Sequence, residues 1–139
     1  MPQRDRASVA RREADRAAHD RVVEALLRAT AAGDRDAVRG LLDPTATLWV
    51  DAAGSAAATP GVVEGVDETA RALCRVLRPG PDVEVAARSV NGVAGLVVRH
   101  EGVVTGVVTG VVSVAVRSGR VAEAWVVLSP SKLERWNRD

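Results

Sequence analysis

From Val103 to Val116 the chain reads VVTGVVTGVVSVAV. Side chains of a strand alternate between two faces, so this run divides into two sets. Val104, Gly106, Val108, Gly110, Val112, Val114 and Val116 form a face with no polar side chain. Val103, Thr105, Val107, Thr109, Val111, Ser113 and Ala115 form a face that mixes apolar and small hydroxyl groups. Branched side chains favour a pleated surface, and the run is shorter than the ~20 apolar residues of a membrane-spanning helix. One long strand with both faces covered is expected. The Val/Thr face suits a subunit interface. The glycines on the other face leave space for a bend or for something beneath it. A sheet wrapped around a pocket follows.

The other elements are read from the same kinds of pattern. Val22, Val23, Leu26, Leu27 and Thr30 recur at helical spacing from Asp20 onward, and Gly33 ends that helix. Asp34 caps a short second helix bearing Val38, Leu41 and Leu42, and Pro44 stops it. Thr45 to Asp51 alternates as a strand, with Thr47, Trp49 and Asp51 on one face. A loop of small residues, AAGSAAATPG, follows and reads as a rim over a site. Val66 to Arg78 is a third helix. Val83–Val90 and Val93–His100 form a hairpin through Asn91-Gly92, and Ser118-Gly119 turns the long strand into Val121–Leu128. A terminal helix is expected over Ser131–Asp139, with Trp136 as a lid on the core. Helix, helix, strand, helix and four antiparallel strands make an α+β layout, with helices closing one face of a curved sheet.

A length of 139 residues is one domain, with residues 1–19 as a charged arm or helix extension and 20–139 as the folded unit. The formal net charge of +1 offers no electrostatic case for nucleic acid. Phe and Tyr are absent, so no tyrosine can serve as base or oxyanion donor. Cys74 stands alone and is read as a packing cysteine. With only His19 and His100 beside it, no metal site is expected, and no cofactor. The glycines of GVVTGVVTG lie in a strand rather than before a helix, so they are no nucleotide fingerprint. The first residues lack the apolar segment of a secretory signal, and a bacterial-type cytoplasmic protein without membrane contact is expected.

Four segments carry a resemblance: HDRVVEALLRATAAGD, LLDPTATLWVDAAG, VNGVAGLVV and the ending SPSKLERW. They resemble the SnoaL-like branch of the nuclear transport factor 2-like superfamily. The nearer match is the C-terminal SnoaL-like domain of extracytoplasmic-function sigma factors, over roughly Ala18 to Trp136. That family has an aspartate and a run of glycines after the first strand; here Asp51 is followed by Ala52-Ala53-Gly54. Its terminal Asn-Pro-Asp-Lys-Leu stands here as Ser129-Pro130-Ser131-Lys132-Leu133. No helix-turn-helix or polymerase-binding region is recognised, so a stand-alone domain rather than a complete sigma factor is expected. The resemblance implies a cone-like, mixed or antiparallel sheet wrapped around the N-terminal helices. It also implies a pocket between sheet and helices, and a homodimer through the opposite face.

Three residues are candidates for proton transfer. Asp51 lies beside the loop on the face of Trp49, where a raised pKa would suit an acid or base; a carboxylate capping nearby N–H groups is the alternative. His100 shares a face with Leu96 and Val98, or is a rim histidine. Glu123 alternates with Val121, Trp125 and Val127, where an acid is costly unless it is solvated in a cavity or paired, for instance with Arg99. Trp49, Trp125, Leu96, Val98 and Val108 are expected to line the pocket. Glu84 and Arg88 read as a solvated or interface pair. The leading expectation is a cofactor-independent enzyme that binds a hydrophobic small molecule and catalyses cyclisation, isomerisation, or hydration or hydrolysis. The alternative is a non-catalytic small-molecule-binding or regulatory module.

Overall fold

The computed structural model describes residues 3–54, 61–102 and 106–138. Its first helix, α1, runs from Gln3 to Ala31, so the charged arm continues the helix. From Arg6 to Ala17 every side chain but Val9 is exposed, whereas Val22, Val23, Leu26 and Ala29 are buried. The chain then turns through Gly33, and the Asp34 carboxylate accepts a hydrogen bond from the Ala37 N–H at 3.0 Å, capping α2 (Arg35–Gly40). Helix α3 spans Val66–Val76 and buries Ala70, Ala72 and Leu73 on one side.

Six strands of the described residues form one mixed sheet in the order β2-β1-β6-β5-β4-β3. They are β1 (Leu42–Asp51), β2 (Val62–Glu64), β3 (Val83–Val90), β4 (Val93–His100), β5 (Val107–Arg117) and β6 (Arg120–Val127). Among the described residues the only parallel pairing is β1 with β6. The β3–β4 hairpin turns on Asn91 and Gly92, at φ 52° and 86°, the left-handed pair that such a two-residue turn requires. Strand β2, three residues at the sheet edge, was hidden in the sequence because so short a run has no readable period. Strand β1 starts at Leu42, earlier than the periodicity predicts, because Leu42 pairs with Val121 before the register slips around Pro44. Strand β5 begins at Val107; Val103, Val104 and Thr105 lie outside the described residues, as do 55–60 of the small-residue loop. The terminal helix is a single 3₁₀ turn, Glu134–Asn137.

Helices α1 and α3 cover one face of this sheet. Leu26, Leu73 and Leu77 pack there with Leu48, Leu96, Val98, Val112, Ala124 and Val126 in one buried cluster. The opposite, outer face carries a smaller cluster of Val90, Val97, Val108, Val111 and Leu133, with Trp136 against it. Trp136 thus covers the outer face rather than the helix-side core.

Two inserted residues set which side chains face which way. Val98 pairs with Gly110 but Arg99 with Val108, so Thr109 is an extra residue in β5. Ala115 pairs with Glu123 but Val116 with Val121, so Ala122 is an extra residue in β6. Each insertion inverts the alternation beyond it. Val108 therefore packs with Val97 and Val111 on the outer face instead of lining the helix side. Val107 pairs with His100 on the other face, so the expected Val/Thr interface row is broken, and Val111 within it is buried under Leu133.

The closing turn completes the sheet. Strand β6 ends opposite Val111, leaving the β5 backbone beyond it without a neighbour on that side. The Asn137 amide replaces one: Val108 N–H donates to Asn137 Oδ1 at 2.7 Å, and Asn137 Nδ2 donates to the Val108 carbonyl at 3.1 Å. At Gly95 there is no room for a side chain, since a Cβ would sit 2.6 Å from Val90 Cγ2 and 2.7 Å from the Val112 carbonyl oxygen.

Two stability effects follow, each read by urea denaturation. Gly95→Ala is expected to cost about 1–3 kcal/mol through overpacking against backbone that cannot move aside. Asn137→Ala leaves the Val108 amide pair unpartnered and is expected to cost about 1 kcal/mol, while Asn137→Gln restores little because the amide is displaced by a methylene.

Candidate functional site

The resemblance-bearing segments around Asp51 and Lys132 meet at one corner of the sheet. The Asp51 carboxylate is in a salt bridge with Lys132 Nζ, the one lysine of the chain. It also accepts from the Ala53 N–H at 3.4 Å, and the Asp51 carbonyl accepts from the Leu128 N–H at 2.7 Å. Pro130 lies against Gly54, and Leu133 is buried just beyond. The Lys132 hydrogen bond, aided by the Ala53 N–H, holds the Asp51 carboxyl below its ordinary range. This is the opposite of the raised pKa expected for an acid or base there. Lys132 is 81 positions away, a pairing that no local pattern announces.

Asp51 does share a face with Trp49, as its spacing predicts, but that face is the outer one. Ala46 and Leu48 of β1 point into the helix-side core, so Trp49 points outward and is 43% exposed. Trp125, 40% exposed, is its register partner on β6, and the two indoles stand side by side on neighbouring strands. Among the described residues neither lines a cavity against the helices. Ala122 is the reason for Trp125: it turns Glu123, Trp125 and Val127 away from the side on which Val121 is buried. Glu123 is accordingly exposed, and its Oε2 accepts from the Trp49 indole N–H at 3.3 Å. It does not meet Arg99, which pairs across from Glu84 on β3.

His100 is exposed at the end of β4, opposite Val83, a residue packed against the helix-side core. Strands β6 and β5 separate β1 from β4, which places His100 more than roughly 14 Å from Asp51 at ~4.8 Å per strand. Leu96 and Val98 do face the helices, where both are buried in the core. The three acid–base candidates thus divide between two faces, and the five pocket candidates do the same.

Cavities occur elsewhere. A groove of about 470 Å³ runs between α1 and the β3–β4 hairpin, past Arg16, Asp20, Glu24 and Arg88. Beside it His19 Nε2 hydrogen-bonds the Ala94 carbonyl at 2.8 Å, tying helix to sheet. A second cavity, about 240 Å³, lies where the three helices meet, lined by Thr30, Arg35, Cys74 and Arg78. Cys74 is half-buried there, and burial pushes its thiol up despite the two arginines. Asp51, His100 and Glu123 line neither. Among the described residues no three His, Cys, Asp or Glu side chains converge as metal ligands, and no helix is long and apolar enough to cross a membrane.

Comparison with known proteins places the fold. No family model matches the chain. The ECF RNA polymerase sigma factor SigJ of Mycobacterium tuberculosis (strain ATCC 25618 / H37Rv) is 35% identical over 121 residues, covering 83% of this chain and 39% of that protein. The chain thus spans well under two thirds of the sigma factor. The crystal structure of SigJ matches with a TM-score of 0.63 at 32% identity, over 94% of this chain and 50% of that one. An NTF2-like protein of unknown function from Mesorhizobium loti matches with a TM-score of 0.58 at 15% identity, over 81% of this chain and 92% of that one. One from Burkholderia xenovorans LB400 matches at 0.57 and 18%, over 90% and 97%. The last two speak to fold alone, and they agree with the helix-backed mixed sheet described above. The chain has a SnoaL-like, nuclear transport factor 2-like fold and is similar in sequence to part of the ECF sigma factor SigJ.

Proposed function

We propose that this domain is a non-catalytic binding and regulatory module, acting through its outer sheet face, rather than an acid–base enzyme. The carrying observation is the dispersal of its proton-transfer candidates. Acid–base catalysis needs groups within hydrogen-bond reach of one substrate. Here Asp51 and Glu123 leave the sheet on the outer face and His100 stands on the other. Asp51 is also engaged by Lys132, and Glu123 by the Trp49 indole. The likeness to part of an ECF RNA polymerase sigma factor supports the same reading. The exposed tryptophans of the outer face are the surface that a partner contact would use.

The test is comparative metabolite profiling of a cell extract incubated with the wild-type protein or with a D51N/H100A/E123Q variant. Identical profiles are expected. A product formed only by the wild type overturns the reading and restores the enzyme.

A structural Asp51 has its own signature. Its folded pKa is depressed, so its contribution to stability is present above the unfolded carboxylate pKa and is lost as pH falls through the folded value. Asp43, held down chiefly by the Thr45 N–H, acts in the same direction. Thermal melts from neutral to acid pH should therefore show a smaller acid loss in Asp51→Asn and in Lys132→Met than in the wild type. Unchanged acid limbs in both would mean that the pair does not hold the corner.

A further inference from the structure

The outer face of β2, β1 and β6 carries two adjoining rows. Cross-strand neighbours share a face, so Glu64, Thr47 and Glu123 form one row, and Val62, Trp49 and Trp125 form the next. All but Thr47 are exposed. Among the described residues neither Glu64 nor Glu123 is in an ion pair. The Glu123–Trp49 hydrogen bond holds one carboxylate against the edge of an indole that remains 43% exposed. Two exposed indoles beside two unneutralised carboxylates are a mismatch for a surface that meets only water.

One chemical group satisfies both rows. A guanidinium is planar and weakly hydrated; it stacks on an indole face while its N–H fork reaches carboxylate oxygens. An ammonium group is a more strongly hydrated point charge and gains less from the indoles. A purely apolar partner would bury Glu64 and Glu123 without compensation. We propose that this acidic aromatic strip is a recognition site for arginine side chains presented by a segment of a partner protein. The proposal rests on the binding-module reading and names the chemistry of its partner.

Isothermal titration calorimetry tests it on the full chain, with a blocked, glycine-spaced peptide carrying two arginines as the probe. Lysine and citrulline versions of the same peptide are run beside it. The arginine peptide is expected to bind, the lysine peptide more weakly, and the neutral citrulline peptide not at all. Trp125→Ala and Glu123→Gln should each weaken arginine binding by about tenfold or more, as truncation of a central contact does. Both positions are exposed, and circular dichroism melts confirm that each variant stays folded. Equal binding of arginine and citrulline peptides overturns the proposal, as does binding that neither variant alters. Sedimentation of the wild type as a dimer that Trp125→Ala converts to monomer also overturns it, by assigning the strip to a second copy. Absent arginine binding together with unchanged metabolite profiles removes this proposal alone and leaves the module reading standing.

Discussion

Two inserted residues, Thr109 in β5 and Ala122 in β6, govern what this sheet shows to its helices and what it shows outward. A strand has a strict period of two, so one extra residue exchanges the faces of everything beyond it. Without Ala122, Val121 would share a face with Glu123 and Trp125, and the acid would sit among core residues at a substantial desolvation cost. With it, Val121, Ala124 and Val126 are all buried against the helices and Glu123 reaches solvent. Thr109 acts likewise on β5, sending Val108 outward while Gly110, Val112 and Val114 stay on the helix side. The same insertion leaves Gly110 close under Leu128, whose Cδ2 would lie 3.1 Å from an added Cβ.

The end of the chain is fastened to these strands by a few polar contacts. Lys132 reaches Asp51, Asn137 pairs with the Val108 backbone, and between them Leu133 and Trp136 lie over Val97, Val108 and Val111. Each link is modest alone, since exposed ion pairs and single hydrogen bonds contribute little net free energy. Together they cover apolar strand surface that would otherwise face water, and they end the outer face sharply. What stays open is the strip on β2, β1 and β6.

The candidate residues illustrate how local chemistry and spatial placement part company. An aspartate at a strand end beside an indole has the composition of a proton-transfer site. In the fold its nearest functional group is a lysine from the far end of the chain, which stabilises the charged form. Glu123 has the composition of a strained core acid. In the fold it is a surface carboxylate that orients a tryptophan. Each takes its role from its neighbour, and neighbours across a sheet are distant in sequence.

Sequence alone determined the element types, most of their limits and the fold class. Helical spacing in Val22–Thr30, the Asp34 cap, the Asn91-Gly92 and Ser118-Gly119 turns and the long valine-rich run of β5 are local patterns. Each is decided by dihedral preference and periodicity within a few residues. The edge strand Val62–Glu64 escaped because three residues carry no period and owe their structure to pairing with Thr47–Trp49. The faces of Val108, Glu123 and Trp125 escaped for a related reason. A bulge is set by how two strands align and by what the helices must bury, and an alanine or threonine at the inserted position looks like any other strand residue. Tertiary structure alone decided which carboxylates stand together, which are neutralised and which tryptophans remain exposed, because those outcomes depend on register, and register is a property of the assembled sheet.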